Sequence, residues 1–369
     1  MTFFSDYDHA LAAQILDFSC EIKENERILI QLIGLNGIGL ARALAIEARK
    51  RKAIPFFKIE DTELNKNLLE NGDTNFWNTV SKTDALPLMK QMDAYVGIRA
   101  TENIYESSMV SKDAMKAYEN EFLMPVHFEE RVKNTKWVIM RYPSPAFAMN
   151  AKMTTSQFIE FYYKACLVDY GKLAKEMLPL EALLRKTKEI RLLGEGTDIS
   201  FSVEGQNWVP CFGSRNIPDG EIFSSPILNS VNGKIRYAPS VYQGKPFEFV
   251  ELHVKDGVVV DFDSSNNEAL KQILDTDEGA RRFGEFSFGT NPIIDKPMYD
   301  ILFDEKIYGS NHLTLGQDYD EAANGNKSAI HWDLVCIGAD VYLDGLKIRE
   351  GRNFIHPDLL GLNPDQFEL

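Results

Sequence analysis

Cysteine is scarce in this 369-residue sequence: Cys20, Cys166, Cys211 and Cys336 are the only four, and no two are spaced as a CxxC pair. That argues against a zinc site built on thiolates and predicts scattered thiols in a reducing compartment. Long apolar runs are missing too, since none approaches the ~20 residues that span a bilayer. The stretch Met1 to Leu16 breaks its apolar residues with Asp6, Asp8 and His9. It therefore has neither the basic start nor the continuous apolar segment of a signal peptide, and a cytoplasmic protein is expected. Positive charge is in deficit: 40 Lys and Arg stand against 55 Asp and Glu, a formal net charge of −15. Such a surface repels nucleic acid and anionic membrane, so neither is an expected partner. A Walker A sequence and a GxSxG elbow are also absent.

What is present is ample material for packed interiors, with 44% hydrophobic and 11% aromatic residues. The length suits two domains. The first half alternates helical and strand-like runs. Leu11, Ile15 and Phe18 mark a helix over 7–23, and Leu40 to Arg51 marks another. Apolar strands are predicted at Arg27 to Gly34, Ile54 to Ile59, Ala94 to Ile98 and Lys136 to Arg141, and a long helix at 154–174. Strands separated by helices imply right-handed crossovers and a mostly parallel sheet. From about Lys188 the texture changes to short β-runs between turn signals. Asn232-Gly233 and Asp256-Gly257 are predicted hairpin turns. Ser265 and Glu268 have capping-box spacing before a helix. The expectation is an α/β domain over 1–185 and a β-rich α+β domain over 186–369.

Glycines 34, 37 and 39 after the first strand, with Glu60 and Asp61 ending the next, resemble part of a dinucleotide-binding unit. A GxGxxG begun at Gly37 would need glycine where Arg42 stands, so a tight strand-to-helix turn is the better reading.

Metal-ligand residue types gather in the second half. His331-Trp332-Asp333 lies in a strand-like run, and side chains two apart on a strand share a face. Imidazole and carboxylate can then converge on one cation, a mixed N/O set that suits zinc, cobalt or manganese. Glu221 and Glu285 are carboxylates flanked by apolar residues, costly to bury unless paired or ligated. His312 sits in similar surroundings, and Tyr319 follows seven residues later. His9, His127, His253 and His356 lack such company and are read as structural or surface residues.

Five ordered blocks carry these residues: NIPDGEIFSSP (216–226), SVNGKIRY (230–237), LDTDEGARRFGEFSFGTN (274–291), ILFDEKIYGSNHLTLG (301–316) and NKSAIHWDLV (326–335). With RYPSPAFAMNAKMTT (141–155) in the first half, they resemble the aminopeptidase T/aminopeptidase S family of metallo-aminopeptidases over nearly the whole chain. The resemblance implies two divalent metal ions per chain, held by Glu221, Glu285, His312, His331 and Asp333. It implies hydrolysis of N-terminal residues from short peptides by a metal-activated water, in a homodimer. Tyr319 falls on the family's catalytic-site tyrosine. Glu221 or Glu285 could act as general base rather than as a pure ligand, and one of the three carboxylates bridges the metals. Two departures stand out. Only eleven residues separate Tyr319 from His331, which is short for the family, and Thr314 replaces a small apolar residue, an exchange expected to matter little. The residue set alone also fits another two-metal hydrolase, such as an amidase or phosphoesterase. A non-catalytic two-domain binder of small molecules is the remaining alternative.

Overall fold

The computed structural model describes residues 6–367. They form two compact units. One runs through Leu167 and takes back Gly213–Ile217; the other holds Val168–Phe212 and the chain from Pro218 onward. The helix expected over 154–174 is two helices, Thr155–Cys166 and Tyr170–Leu184. Thr154 and Gln157 close a capping box on the first, and Asp169 caps the second by accepting from the Lys172 amide. The units part between these helices rather than at residue 185.

The first unit is built on a parallel sheet of five strands. Ile54–Glu60, Arg27–Ile33, Ala94–Arg99, Lys136–Arg141 and the two-residue Asn216–Ile217 lie side by side in that order. The strand Arg27–Ile33 is buried along most of its length, as an interior parallel strand should be. At its end Gly34 has φ +82°, and a Cβ there would lie 2.3 Å from the Ala100 carbonyl oxygen. After the strand Ile54–Glu60, Asp61 caps the helix Thr62–Asn71 by accepting from the Leu64 amide. The glycine-rich stretch is therefore a tight turn with a helix cap beyond it.

One face of this sheet packs Leu29 and Tyr95 against Trp77, Met89, Phe122 and Val126. His127 is buried in the same region, and its Nδ1 accepts from Arg131 Nε at 3.2 Å. Burial, with Arg131, Arg99 and Lys58 nearby, lowers the His127 pKa to about 3. The unfolded chain, with a histidine pKa of about 6.5, binds more protons at any pH between the two values. The stability held by neutral His127 is thus complete above the unfolded value and is lost as pH falls, at up to about 1.4 kcal/mol per pH unit. In His127→Gln, which keeps an acceptor for Arg131 but cannot titrate, the stability lost between about pH 6.5 and 5 should shrink by about 2 kcal/mol. Urea unfolding at the two pH values measures this.

The second unit is strand-rich and antiparallel. An eight-stranded sheet runs from Val258–Ser264 through Val250–Lys255, Asn232–Tyr237, Thr197–Ser202, Glu189–Gly194, Asp340–Leu343 and Leu346–Glu350 to Asn353–Phe354. Asp256-Gly257 forms the hairpin turn expected of it, with φ of 50° and 77°. Asn232-Gly233 does not. It opens a strand, and Gly233 pairs with Ile199 on one side and Val254 on the other. The helix Asn267–Leu274 is capped by Asn266, whose side chain accepts from the Ala269 amide, and not by Ser265. Among the described residues, no helix is long and apolar enough to cross a membrane.

Candidate metal centre

A second antiparallel sheet of this unit sets out the site. Its strands lie in the order His331–Trp332, Ser310–Gly316, Phe283–Gly289, Glu221–Ser224 and Val209–Cys211, and Val335–Ile337 pairs with the Ser310 end. The sequence FGEFSFG alternates with period two. Phe286 and Phe288 point one way, and Phe286 meets Phe201 of the larger sheet with ring centroids 4.8 Å apart. Glu285 and Ser287 point the other way. Register brings their partners to the same face: Thr314 lies opposite Glu285, and His312 and Phe223 flank Ser287. Glu221, two residues before Phe223, shares that face, and Gly316 pairs with His331. Apolar side chains thus gather on one side of the sheet and polar groups on the other, and in the two central strands both sides are buried.

There the five expected ligands converge. His312 Nε2 lies 2.8 Å from Glu285 Oε1 and 3.5 Å from Glu221 Oε2. His331 Nε2 lies 3.6 Å from Glu285 Oε2 and 3.2 Å from Asp333 Oδ1. Two groups able to hold a cation result, Glu221/Glu285/His312 and Glu285/His331/Asp333, with the ligand atoms of each within 4.8 Å of one another. Glu285 belongs to both. The donor set fits divalent cations with mixed N/O preference. A further sign of fit is that Glu285 Oε2 is buried without a hydrogen-bond partner among the described residues, with His331 Nε2 3.6 Å away.

The surrounding groups orient these candidate ligands. His331 Nδ1 faces the Gln317 carbonyl at 2.7 Å, which turns Nε2 toward the carboxylates. Ser287 donates to Glu221 Oε2 at 3.1 Å. Thr314, expected to matter little, donates to Asp333 Oδ1 at 2.5 Å and so fixes a candidate ligand. Burial pushes the Glu285 carboxyl up. Burial alone would lower both imidazoles, but the carboxylates reverse this. His312 rises to about 9, chiefly through Glu285, and His331 to about 10, chiefly through Asp333. Burial opposes ionisation of Asp333, yet His331 and His312 hold it well below the usual carboxylate range. Without cations, protons on the imidazoles balance the acids, and they must leave when a metal binds.

Tyr319 lies at the edge of the centre. Its ring is 47% exposed and sits 4.6 Å from that of His331 and 5.9 Å from that of Phe223. The short connection that follows is closely tied. Asp318 accepts from the amides of Asn324 and Gly325 and from Lys327 Nζ. Asn324 donates to the carbonyls of Pro226 and Phe283, and Asn326 to those of Gly279 and Gly316.

Sequence reasoning missed Lys306. Its side chain is fully buried, and Nζ donates to Glu221 Oε1 and, at 2.6 Å, to Glu305 Oε1, with Asp219 Oδ1 at 3.8 Å. Burial opposes its charge, but Glu221, Glu305 and Asp219 raise its pKa well above the lysine range. Burial raises Glu305 to about 8. Asp-Glu-Lys at 304–306 looks like a solvated charge run; the only signal was its apolar flanks, Leu302-Phe303 and Ile307-Tyr308.

The chain is similar to known proteins in sequence and in fold. The chain is 36% identical over 151 residues to Aminopeptidase 2 of Geobacillus stearothermophilus, covering 36% of each chain. It is 33% identical over 180 residues to Aminopeptidase T of Thermus aquaticus, covering 42% of this chain and 44% of the relative. The chain thus spans less than half the length of the curated relatives it matches. Among solved structures, wild-type AmpT from Thermus thermophilus superposes with a TM-score of 0.80 at 18% identity, covering 96% of this chain and 100% of that one. The 2,5-dihydroxypyridine dioxygenase from Pseudomonas putida KT2440 superposes with a TM-score of 0.63 at 13% identity, covering 96% and 98%. These likenesses establish a shared architecture, and architecture alone does not choose the chemistry. Sequence does more: the family described as thermophilic metalloprotease (M29) matches residues 8–356. The chain belongs to the peptidase M29 family, a family of metalloproteases.

Proposed function

We propose that this protein is a metal-dependent aminopeptidase that removes N-terminal residues from short peptides, with two divalent cations held by Glu221, Glu285, His312, His331 and Asp333. The observation that carries the reading is the membership of Glu285 in both cation-binding groups, which gives two adjacent sites joined by one carboxylate. Bound there, divalent cations would polarise a scissile carbonyl, acidify a water and anchor the substrate's free amine. The protein's own groups do the rest. Glu285, a member of both groups, would hold both cations, and Glu221 would hold one. The Gln317 carbonyl and the Thr314 hydroxyl hold His331 and Asp333 in their ligating orientations. Tyr319, part-exposed beside His331, donates a hydrogen bond to the developing oxyanion, a contribution of ~3 kcal/mol for such a donor. Zinc, cobalt and manganese all suit the donor set. A homodimer belongs to the same proposal and rests on the family resemblance; light scattering on the purified protein reads it. A cytoplasmic location belongs to it too, and the four free cysteines, which suit a reducing compartment, support it.

Dialysis against a chelator should abolish cleavage of aminoacyl-amide substrates, and zinc, cobalt or manganese should restore it. Peptides with an acetylated N-terminus should remain intact. Full activity in metal-free protein would overturn the reading, and cleavage of phosphoesters in place of aminoacyl amides would assign the site to another two-metal hydrolase.

A further inference from the structure

Lys306 has no place in the ligand set, yet it occupies the interior of the centre. Three carboxylates surround its ammonium: Glu221 and Glu305 within hydrogen-bond reach and Asp219 at 3.8 Å. The backbone on either side is fastened as well. The Asn291 amide donates to the Lys306 carbonyl at 3.1 Å, and the Asn291 side chain donates to the Asp219 carbonyl at 2.8 Å. A fully buried ammonium cannot move aside for an arriving ion as a surface lysine can.

We propose that Lys306 is a built-in third cation of the centre, a positioning residue that makes the Glu221/Glu285/His312 group the weaker of the two metal sites. The inference rests on the two-ion reading above. Its physical basis is the division of Glu221 between two tasks. Oε1 is held by Lys306, and only Oε2, which also accepts from Ser287, faces His312. A cation in that group therefore meets a carboxylate already half neutralised, with a fixed positive charge on its far side. The other group, Glu285/His331/Asp333, shares no carboxylate with Lys306, and its His331 side chain is 21% exposed where that of His312 is fully buried. It fills first. Glu221, Glu305 and Asp219 are held around one ammonium. Lys306 thus spares the metal-free protein part of the repulsion among these acids, and it does so at the expense of affinity for the second ion.

Calorimetric titration of manganese into chelator-stripped protein tests this. Wild-type protein should bind two ions in unequal steps. Lys306→Gln, which keeps a hydrogen-bond donor but no charge, should tighten the weaker step by about tenfold. It should also lower the melting temperature without metal and enlarge the rise that manganese produces. Asp219→Asn, which keeps the acceptor for the Gly220 amide, leaves the ammonium less neutralised and should shift the weaker step the opposite way; it decides the matter if Lys306→Gln does not fold. A weaker step that is unchanged or loosened in Lys306→Gln, or unchanged or tightened in Asp219→Asn, overturns the proposal for Lys306 alone. Failure of wild-type protein to bind a second ion overturns the two-ion reading and this inference with it.

Discussion

Glu285→Gln is expected to lower kcat on an aminoacyl-amide substrate by about three orders of magnitude and to reduce the bound metal from two ions to at most one. The substitution keeps the shape of a side chain that is only 4% exposed and removes its charge. Burial disfavours the ionised carboxyl, and the amide oxygen can still accept from His312 Nε2, so the neutral amide costs the metal-free fold little. Three measurements therefore separate in a telling way. The melting temperature of metal-free variant stays close to that of wild type, the rise on adding manganese largely disappears, and turnover collapses. No other candidate ligand predicts loss at both sites, since only Glu285 reaches both groups. Retention of two ions with near-normal turnover would remove Glu285 from the centre.

Gly316→Ala is expected to cost about 3 kcal/mol of stability or more and to empty the His331/Asp333 site. Gly316 has φ +101°, and a Cβ there would stand 2.1 Å from the Ile330 carbonyl oxygen and 2.7 Å from Ile330 Cγ1. Its amide donates to the Arg282 carbonyl at 2.9 Å, so it cannot shift freely. The strand His331–Trp332, paired with Gly316 and Leu315, must yield instead, and a candidate ligand moves with it. Gly325→Ala is the control. That glycine has φ +89° but nothing within 4 Å of an added Cβ, so its cost should be about 1 kcal/mol, with the metal content unchanged. Denaturant unfolding and elemental analysis of the two variants give the comparison. Equal losses would mean that the close approach at Gly316 is not what holds His331.

Much of this centre was legible because its signals are local. His-x-Asp spacing places two ligands on one face without any knowledge of the partner strands, and the alternation in FGEFSFG separates Glu285 from its phenylalanine neighbours. The ordered blocks added what spacing lacked, the link between residues 221 and 333. What stayed hidden depends on distant pairing. Thr314 seemed a minor exchange because its partner, Asp333, is brought to it only when the Ser310–Gly316 strand meets the His331 strand. Asn232-Gly233 has the composition of a turn, but strands on both sides of Gly233 draw it into a ladder, and tertiary pairing overrides local preference. Lys306 was the largest omission. A lysine beside two acids is ordinarily solvated, and only the buried carboxylates of Glu221 and Asp219 give it reason to be inside. In the first unit, alternating strands and helices specified a parallel sheet. The break between Thr155–Cys166 and Tyr170–Leu184 was missed because the apolar periodicity continues across it.

The connection from Tyr319 to His331 is only eleven residues long, and side-chain bonds fasten it along much of its course. Its conformational entropy is spent during folding and not when a peptide arrives. Such a segment makes a poor lid: it has few alternative states to visit and little slack to fold over a ligand. This side of the centre is a finished wall, and its backbone amides should be among the slowly exchanging ones.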